Sequence, residues 1–235
     1  MNIRAVFIDI DNTLLDFDEY VRCTMRDGFE HFGLCPFEPW MYDVFTVENN
    51  KLWRRIEDAT LTFEELQTIR WNTVFKKLGI DFDGPKFERY FRDCLHESAI
   101  PVEGAEELLK ALSGRYILCA ASNGPYEQQL HRLDIAGMRD YFDYIFISED
   151  LGVSKPAKEF FDAAFERMNK DRSDTIRPDE CLMIGDSLSS DIAGGRNCGM
   201  KTCFYRRDKD MDVEKENLDI TADSLADIPA LIGRL

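Results

Sequence analysis

The sequence predicts an α/β fold: a parallel sheet covered by helices on both faces, interrupted after its first strand by an inserted helical subdomain. From Val102 onward, short apolar runs alternate with helical segments of about ten residues, the arrangement of βαβ units. Those runs, such as Leu118-Cys119-Ala120-Ala121 and Leu182-Met183-Ile184, are apolar throughout, as strands buried on both faces are. Between Asp16 and His96, by contrast, the apolar residues recur only at helical spacing.

Taken in order, residues 3–9 make the first strand. The next eighty or so residues carry about four helices, one of them starting at Thr62, whose Glu65 three positions on completes a capping-box signature. All three tryptophans, Trp40, Trp53 and Trp71, lie in this block, which marks it as a unit with its own small core. We therefore expect a core domain over 1–15 and 98–235 and a helical cap over 16–97. An insertion directly after the first strand is placed where a lid over that strand's end would be.

Beyond the insertion, residues 102–113 read as a helix ended by Gly114, 115–121 as a strand and 126–133 as a helix. Strands follow at 142–147, 180–184 and 201–205, with helices at 158–168 and 189–197 between them. Residues 206–217 are polar and read as a surface loop. A short strand near Ile220 and a helix N-capped by Ser224 close the chain.

Composition narrows the function. A net charge of −16 argues against nucleic-acid polymers and anionic membranes, both of which need basic patches. It leaves room for a small anionic substrate, because a metal ion and helix N-termini make a site locally positive. The seven cysteines are scattered, without a Cys-x-x-Cys pair, so neither a disulfide framework nor a zinc site is expected. With no signal-like N-terminus and no long apolar stretch, the expected location is the cytoplasm.

Four strand ends carry the candidate chemistry. The first strand runs into Asp9-Ile10-Asp11-Asn12-Thr13, and alternation along a strand would set the two carboxylates on one face, a pair best tolerated with a bound cation or with one of the two keeping a proton. Ser122-Asn123-Gly124-Pro125 brings a hydroxyl, a carboxamide and backbone N–H groups to a helix start, which suits an anion. Lys155 precedes Pro156, which favours an extended backbone and directs the ammonium back toward the sheet. Gly185-Asp186 ends another apolar strand, with Asp191 five residues on. Singly, each of these has an ordinary reading as a turn, a cap or a solvated charge. Their joint order at the C-terminal ends of one parallel sheet does not.

In that order the motifs resemble those of the haloacid dehalogenase (HAD) superfamily of hydrolases, and the branch with a helical cap after the first motif. The resemblance spans the chain and implies a Rossmann-like core. It implies Asp9 as a nucleophile that becomes an aspartyl-phosphate, and Asp11 as general acid and then base. It also implies Mg²⁺ held by Asp9, the backbone carbonyl of Asp11, and Asp186, with Asp191 supporting from close by. Ser122 and the N–H of Asn123 would bind the phosphoryl oxygens, and Lys155 would stabilise the nucleophile and developing charge.

The expected substrate is a small phosphorylated metabolite. Asp11 and Asp186 count against carbon–halogen hydrolysis, since a departing halide needs neither a proton donor nor a metal. Sugar-phosphate hydrolysis and phosphosugar mutation use the same core motifs and stay open. Asp-Asn-Thr-Leu-Leu-Asp-Phe followed by an aromatic-rich cap looks like the small pyrimidine 5′-nucleotidases of the superfamily. Phe17, Phe37, Trp40, Tyr42 and Phe45 are candidates to stack on a base, against the alternative that they form the cap's own core.

Overall fold

In the computed structural model, which describes residues 3–213 and 218–235, the expected strands assemble into one six-stranded, all-parallel sheet. Its strands are β1 (Ala5–Ile8), β2 (Ile117–Ser122), β3 (Tyr144–Ile147), β4 (Cys181–Gly185), β5 (Lys201–Tyr205) and β6 (Ile220–Ala222). They lie in the order β3-β2-β1-β4-β5-β6. The chain thus winds outward from β1 in one direction and outward from β4 in the other, which puts the switch point between β1 and β4. Val6 pairs with Leu118 on one side and Leu182 on the other, so the C-terminal ends of β2, β1 and β4 lie side by side.

The strands are apolar on both faces because both are covered. Val6, Ile8, Leu118, Ala120, Leu182 and Ile184 turn to one side, where α5 (Ala105–Leu112) and α10 (Ile228–Ile232) pack. Ala5, Phe7, Cys119, Ala121 and Met183 turn to the other, against Phe160, Phe161, Ala164 and Met168 of α8 (Lys158–Asn169). Two short helices complete the connections: α6 (Tyr126–Ile135) follows β2 and packs through Leu133 on the α5 side, and α7 (Ser148–Leu151), not expected from the sequence, follows β3 and packs through Leu151 on the α8 side.

After β4 the chain makes a π-helical turn at Leu188–Ile192 before α9 (Ala193–Asn197), where the periodicity predicts one continuous helix. Ser224 accepts from the Ala226 N–H, as a cap should. Of the expected surface loop, residues 214–217 lie outside the described residues.

The contacts divide the chain into two units, residues 1–16 with 99–235, and residues 17–98. In the first, the two segments bordering the insertion are stitched together: the Asp16 N–H donates to the Ile100 carbonyl (2.7 Å) and the Val102 N–H to that of Leu14 (2.9 Å). The second unit consists of α1 (Phe17–His31), α2 (Pro39–Glu57), α3 (Phe63–Leu78) and α4 (Gly84–His96). Thr62 and Glu65 form the reciprocal capping box at the start of α3. No helix among the described residues is long and apolar enough to cross a membrane.

The core of the helical unit is aromatic. Trp71 lies 4.3 Å from Phe87 and about as close to Phe45 and Phe91, at 5.2 and 5.3 Å between ring centroids. Tyr42 and Phe45 are buried and Phe37 sits edge-on to Phe29, so these rings serve packing; Trp40 alone of the stretch is largely exposed, at 52%. An ion pair is enclosed with them: Arg70 donates through Nε to Glu88 (3.0 Å) and through Nη2 (2.5 Å), and stacks over Phe91.

Both partners of that pair are almost fully buried. Truncating one leaves the other charged in an apolar setting, a loss of about 3–5 kcal/mol. Glu88→Ala should therefore destabilise the helical unit by that amount in denaturant unfolding, while a change under about 1 kcal/mol would show that Arg70 finds other solvation.

Candidate active site

The site is built on the ends of β1, β2 and β4 and on the loop before α8. Asp9 directly follows β1, and its N–H donates to the Ile184 carbonyl of β4 (2.9 Å), so the first residue past the strand is still held in register. Its side chain is buried and meets the ammonium of Lys155 (2.7 Å). That ammonium, itself buried, also donates to Asp191 Oδ1 (2.6 Å) and to the Ala121 carbonyl at the end of β2 (2.6 Å). All three of its donors are thereby committed.

Lys155 is fixed from its backbone as well. The Asn123 carboxamide accepts from the Lys155 N–H (2.8 Å) and donates to the Lys155 carbonyl (2.8 Å). The structure thus assigns the Asn123 side chain to Lys155 and not to an incoming anion. It also narrows the expected anion cradle: the Gly124 N–H is taken by Ser148 Oγ (3.0 Å) and the Tyr126 N–H by Glu149 (2.7 Å).

Asp191 lies under β4. Its Oδ2 accepts from the Ser187 N–H (3.1 Å), and a Cβ on Gly185 would stand 2.1 Å from that same oxygen. Gly185 is therefore demanded by the buried carboxylate packed against it. Asp186, partly exposed beside it, accepts from the Thr13 hydroxyl at 3.5 Å. Carboxylate oxygens of Asp9, Asp186 and Asp191 all lie within 4.8 Å of one another.

The end of β1 departs from what the sequence predicts. β1 stops at Ile8, and Asn12 adopts a left-handed backbone (φ 62°), so strand alternation does not govern Asp9 and Asp11. The two carboxylates turn to different supports. Asp9 goes to Lys155, whereas Asp11 accepts from Arg132 Nη1 at Oδ1 (2.7 Å) and from Gln129 Nε2 at Oδ2 (2.8 Å), both on α6.

Burial pushes the Asp9 carboxyl up to about 8, with the charges of Asp191 and Asp11 adding to it and Lys155 pulling the other way. Burial would lower the Lys155 ammonium, but the charges of Asp191 and Asp9 outweigh it and hold it above its ordinary value. Three carboxylates, those of Asp9, Asp186 and Asp191, are gathered beside one ammonium. An all-oxygen donor set with surplus negative charge fits a hard divalent ion such as Mg²⁺. Asp191 is fully buried between Lys155 and the Ser187 N–H, whereas Asp186 is partly exposed, so Asp9 and Asp186 are the carboxylates that could reach such an ion.

A profile of the haloacid dehalogenase-like hydrolases matches residues 3–199. The chain belongs to this family. It is 33% identical to the HAD-hydrolase YfnB of Bacillus subtilis, over 87% of this chain and 85% of that one. It is 34% identical to the pyrimidine 5′-nucleotidase YjjG of Escherichia coli, over 85% and 84% of the two chains. The magnesium-bound crystal structure of YfnB superposes with a TM-score of 0.86 at 30% identity, covering 99% of both chains. The L-2-haloacid dehalogenase of Xanthobacter autotrophicus shares the fold, with a TM-score of 0.77 at 17% identity over 98% of both chains. The chain is therefore an enzyme of a hydrolase family.

The motif residues Asp9, Asn123, Lys155, Asp186 and Asp191 come together as neighbours, and Ser122 and Asp11 are linked to each other through Gln129. Gln129 and Arg132 escaped the sequence reading. Their only signal was a polar pair three apart on an amphipathic helix, which looks the same as a solvated face.

The raised Asp9 carboxyl has a consequence for stability. Its ordinary value is 3.8 and its value in the fold about 8, so between those pH values the folded chain keeps a proton that the unfolded chain has released. In metal-free protein, stability contributed by this group should be fully present at about pH 4 and lost as pH rises to about 8. Asp9→Asn, which cannot ionise, should flatten that part of the profile of thermal midpoint against pH in EDTA. An unchanged slope would show that Asp9 is ionised throughout.

Proposed function

We propose that the chain is a Mg²⁺-dependent phosphomonoester hydrolase acting through an aspartyl-phosphate on Asp9, with a nucleoside 5′-monophosphate as its substrate. The observation that carries this reading is the pairing of two differently supported carboxylates. Asp9 is buried, ion-paired to Lys155 and close to Asp186, while Asp11 is held apart by α6 and is 30% exposed at its side chain. One carboxylate attacks and the other moves protons.

In the first step an Asp9 oxygen bonds to phosphorus as the bond to the leaving oxygen breaks, and Asp11 gives its proton to that oxygen. In the second, Asp11 takes a proton from water, which attacks phosphorus and frees Asp9. Lys155 keeps Asp9 oriented and offsets charge gathering on the phosphoryl oxygens. Ser122 Oγ accepts from Gln129 Nε2 (2.8 Å), which leaves its own proton for a phosphoryl oxygen. Asp9, Asp186 and the Asp11 carbonyl would hold Mg²⁺, with Asp191 behind them; the ion supplies charge neutralisation between carboxylates and a phosphate dianion.

The substrate class is supported by two relatives named pyrimidine 5′-nucleotidases, from Escherichia coli and Streptococcus pneumoniae, at 34% and 32% identity. Trp40, exposed on α2, is the aromatic available to stack on a base. A sugar- or triose-phosphate substrate is the second reading, favoured by glyceraldehyde 3-phosphate phosphatases at 24–26% identity over most of this chain. Phosphosugar mutation is the outcome to exclude by product analysis. Seven unpaired cysteines suit a reducing compartment, and we place the enzyme in the cytoplasm.

Asp9→Asn, or EDTA added to the unaltered enzyme, should abolish phosphate release while the fold persists by circular dichroism. Asp11→Asn should lower kcat on alkyl phosphates by ~10²-fold or more, and by less on p-nitrophenyl phosphate, whose leaving group departs without a proton. Near-normal hydrolysis by a verified Asp9→Asn preparation would rule out the covalent route.

A panel of nucleoside monophosphates and sugar phosphates, followed for phosphate and for organic product, tests the substrate. We expect the highest kcat/KM on a pyrimidine nucleoside 5′-monophosphate. A higher value on a sugar phosphate, or isomer formed without phosphate release, would move the enzyme to the second reading.

A further inference from the structure

We propose that Gln129 and Arg132 are positioning residues that aim the Asp11 carboxylate at the leaving-group oxygen and tie it to the phosphoryl-binding Ser122. The inference rests on the acid–base reading of Asp11 given above. Its basis is a closed network of four side chains. Arg132 Nη1 donates to Asp11 Oδ1 (2.7 Å) and also to Gln129 Oε1 (2.9 Å). With its amide oxygen thus engaged, Gln129 turns its nitrogen to Asp11 Oδ2 (2.8 Å) and to Ser122 Oγ (2.8 Å).

Each donor has one consequence. Two donors on two different oxygens of one carboxylate fix its plane as well as its place, which a single contact would not do. The donor reaching Ser122 makes the serine oxygen an acceptor, so its proton is directed away from α6. Acid and phosphoryl ligand are thereby oriented by one amide. Arg132 and Gln129 are buried, at 1% and 2%, whereas Asp11 is partly open to solvent. The network is rigid on the side away from substrate and exposes only the group that must exchange protons.

The local sequence makes room for it. Gln129 and Arg132 are three apart, hence on one face of α6, which begins just after the Ser122-Asn123-Gly124-Pro125 turn. A Cβ on Gly124 would stand 3.2 Å from Gln129 Nε2, so glycine gives that amide its space. The same helix face therefore supports two motifs that are more than a hundred residues apart in the chain.

A purely structural ion pair anchoring α6 would make the same contacts, so the test must separate the two. Arg132→Lys keeps the charge but moves the donor that Nη1 presents to both Asp11 and Gln129; Gln129→Leu keeps the volume and loses the donors to Asp11 and Ser122. Steady-state kinetics are measured on the best alkyl phosphate of the panel and on p-nitrophenyl phosphate, with thermal midpoints alongside. Each variant should lower kcat on the alkyl ester by ~10-fold or more with KM within about twofold, and the loss should shrink on the aryl ester, as for Asp11→Asn. In an Asp11→Asn background neither change should cost much more.

Equal losses on both esters, additive with Asp11→Asn, would overturn the inference and leave the pair a structural anchor. Should Arg132→Lys fail to fold, the neutral Gln129→Leu decides on the same readouts. If Asp11→Asn itself showed no difference between alkyl and aryl esters, the acid–base reading would fall and this inference with it. A difference in Asp11→Asn that is missing from both α6 variants would overturn this inference alone.

Discussion

The buried ammonium of Lys155 is the interaction on which the rest of the site depends. It joins the residue after β1, the Ala121 carbonyl near the end of β2 and the carboxylate beneath β4 through three bonds of 2.6–2.7 Å. A lysine at that depth is stable only because two carboxylates outweigh its desolvation, and Asp9 at that depth gains from its charge in return. The arrangement is mutual, so the surrounding residues are placed to preserve it. Asn123 grips the Lys155 backbone from both sides, Ser187 caps Asp191, and Gly185 leaves the space in which Asp191 sits.

Sheet topology explains why these groups meet at all. β1 lies between β2 and β4 at the point where the winding reverses, so loops leaving the three strand ends diverge and open a space. Buried, continuously apolar strands supply a rigid floor, with Phe7 stacked on Phe146 below it. Functional side chains on residues directly following such strands inherit that rigidity. Asp9, the first residue past β1, shows it through its backbone bond to Ile184.

Two carboxylates so close in sequence acquire different characters from different surroundings. Asp9 is enclosed and shares an ammonium; Asp11 faces a guanidinium and an amide and reaches solvent. These settings suit the roles proposed for the two groups, since a nucleophile gains from enclosure while a proton carrier needs an exit. Asn12, in its left-handed conformation, turns the chain between these settings, and asparagine is among the residues that tolerate it.

Much of this was legible in the chain itself. Uninterrupted apolar runs specify buried parallel strands, because only a sheet covered on both faces hides every side chain. The capping pair Thr62 and Glu65 acts within one helical turn, so local reasoning found it. Asp9, Ser122 and Asp186 stood out because they lie at or just past strand ends, which converge in such a sheet, whereas Lys155 reaches them from the loop before α8, with α7 between it and β3. The partner of each group was not legible. Strand alternation assigned Asp11 to the side of Asp9, yet β1 ends too early for that rule, and α6 holds it instead. Tyr42 and Phe45 have the composition of a stacking surface and are core, since an aromatic's neighbours, not its identity, decide whether it meets solvent. The sequence determined which chemical groups stand at the strand ends; tertiary structure decided which of them touch, because hydrogen bonds and charges act over a few ångströms in space, and residues 11 and 132 are neighbours only once β1 and α6 are packed.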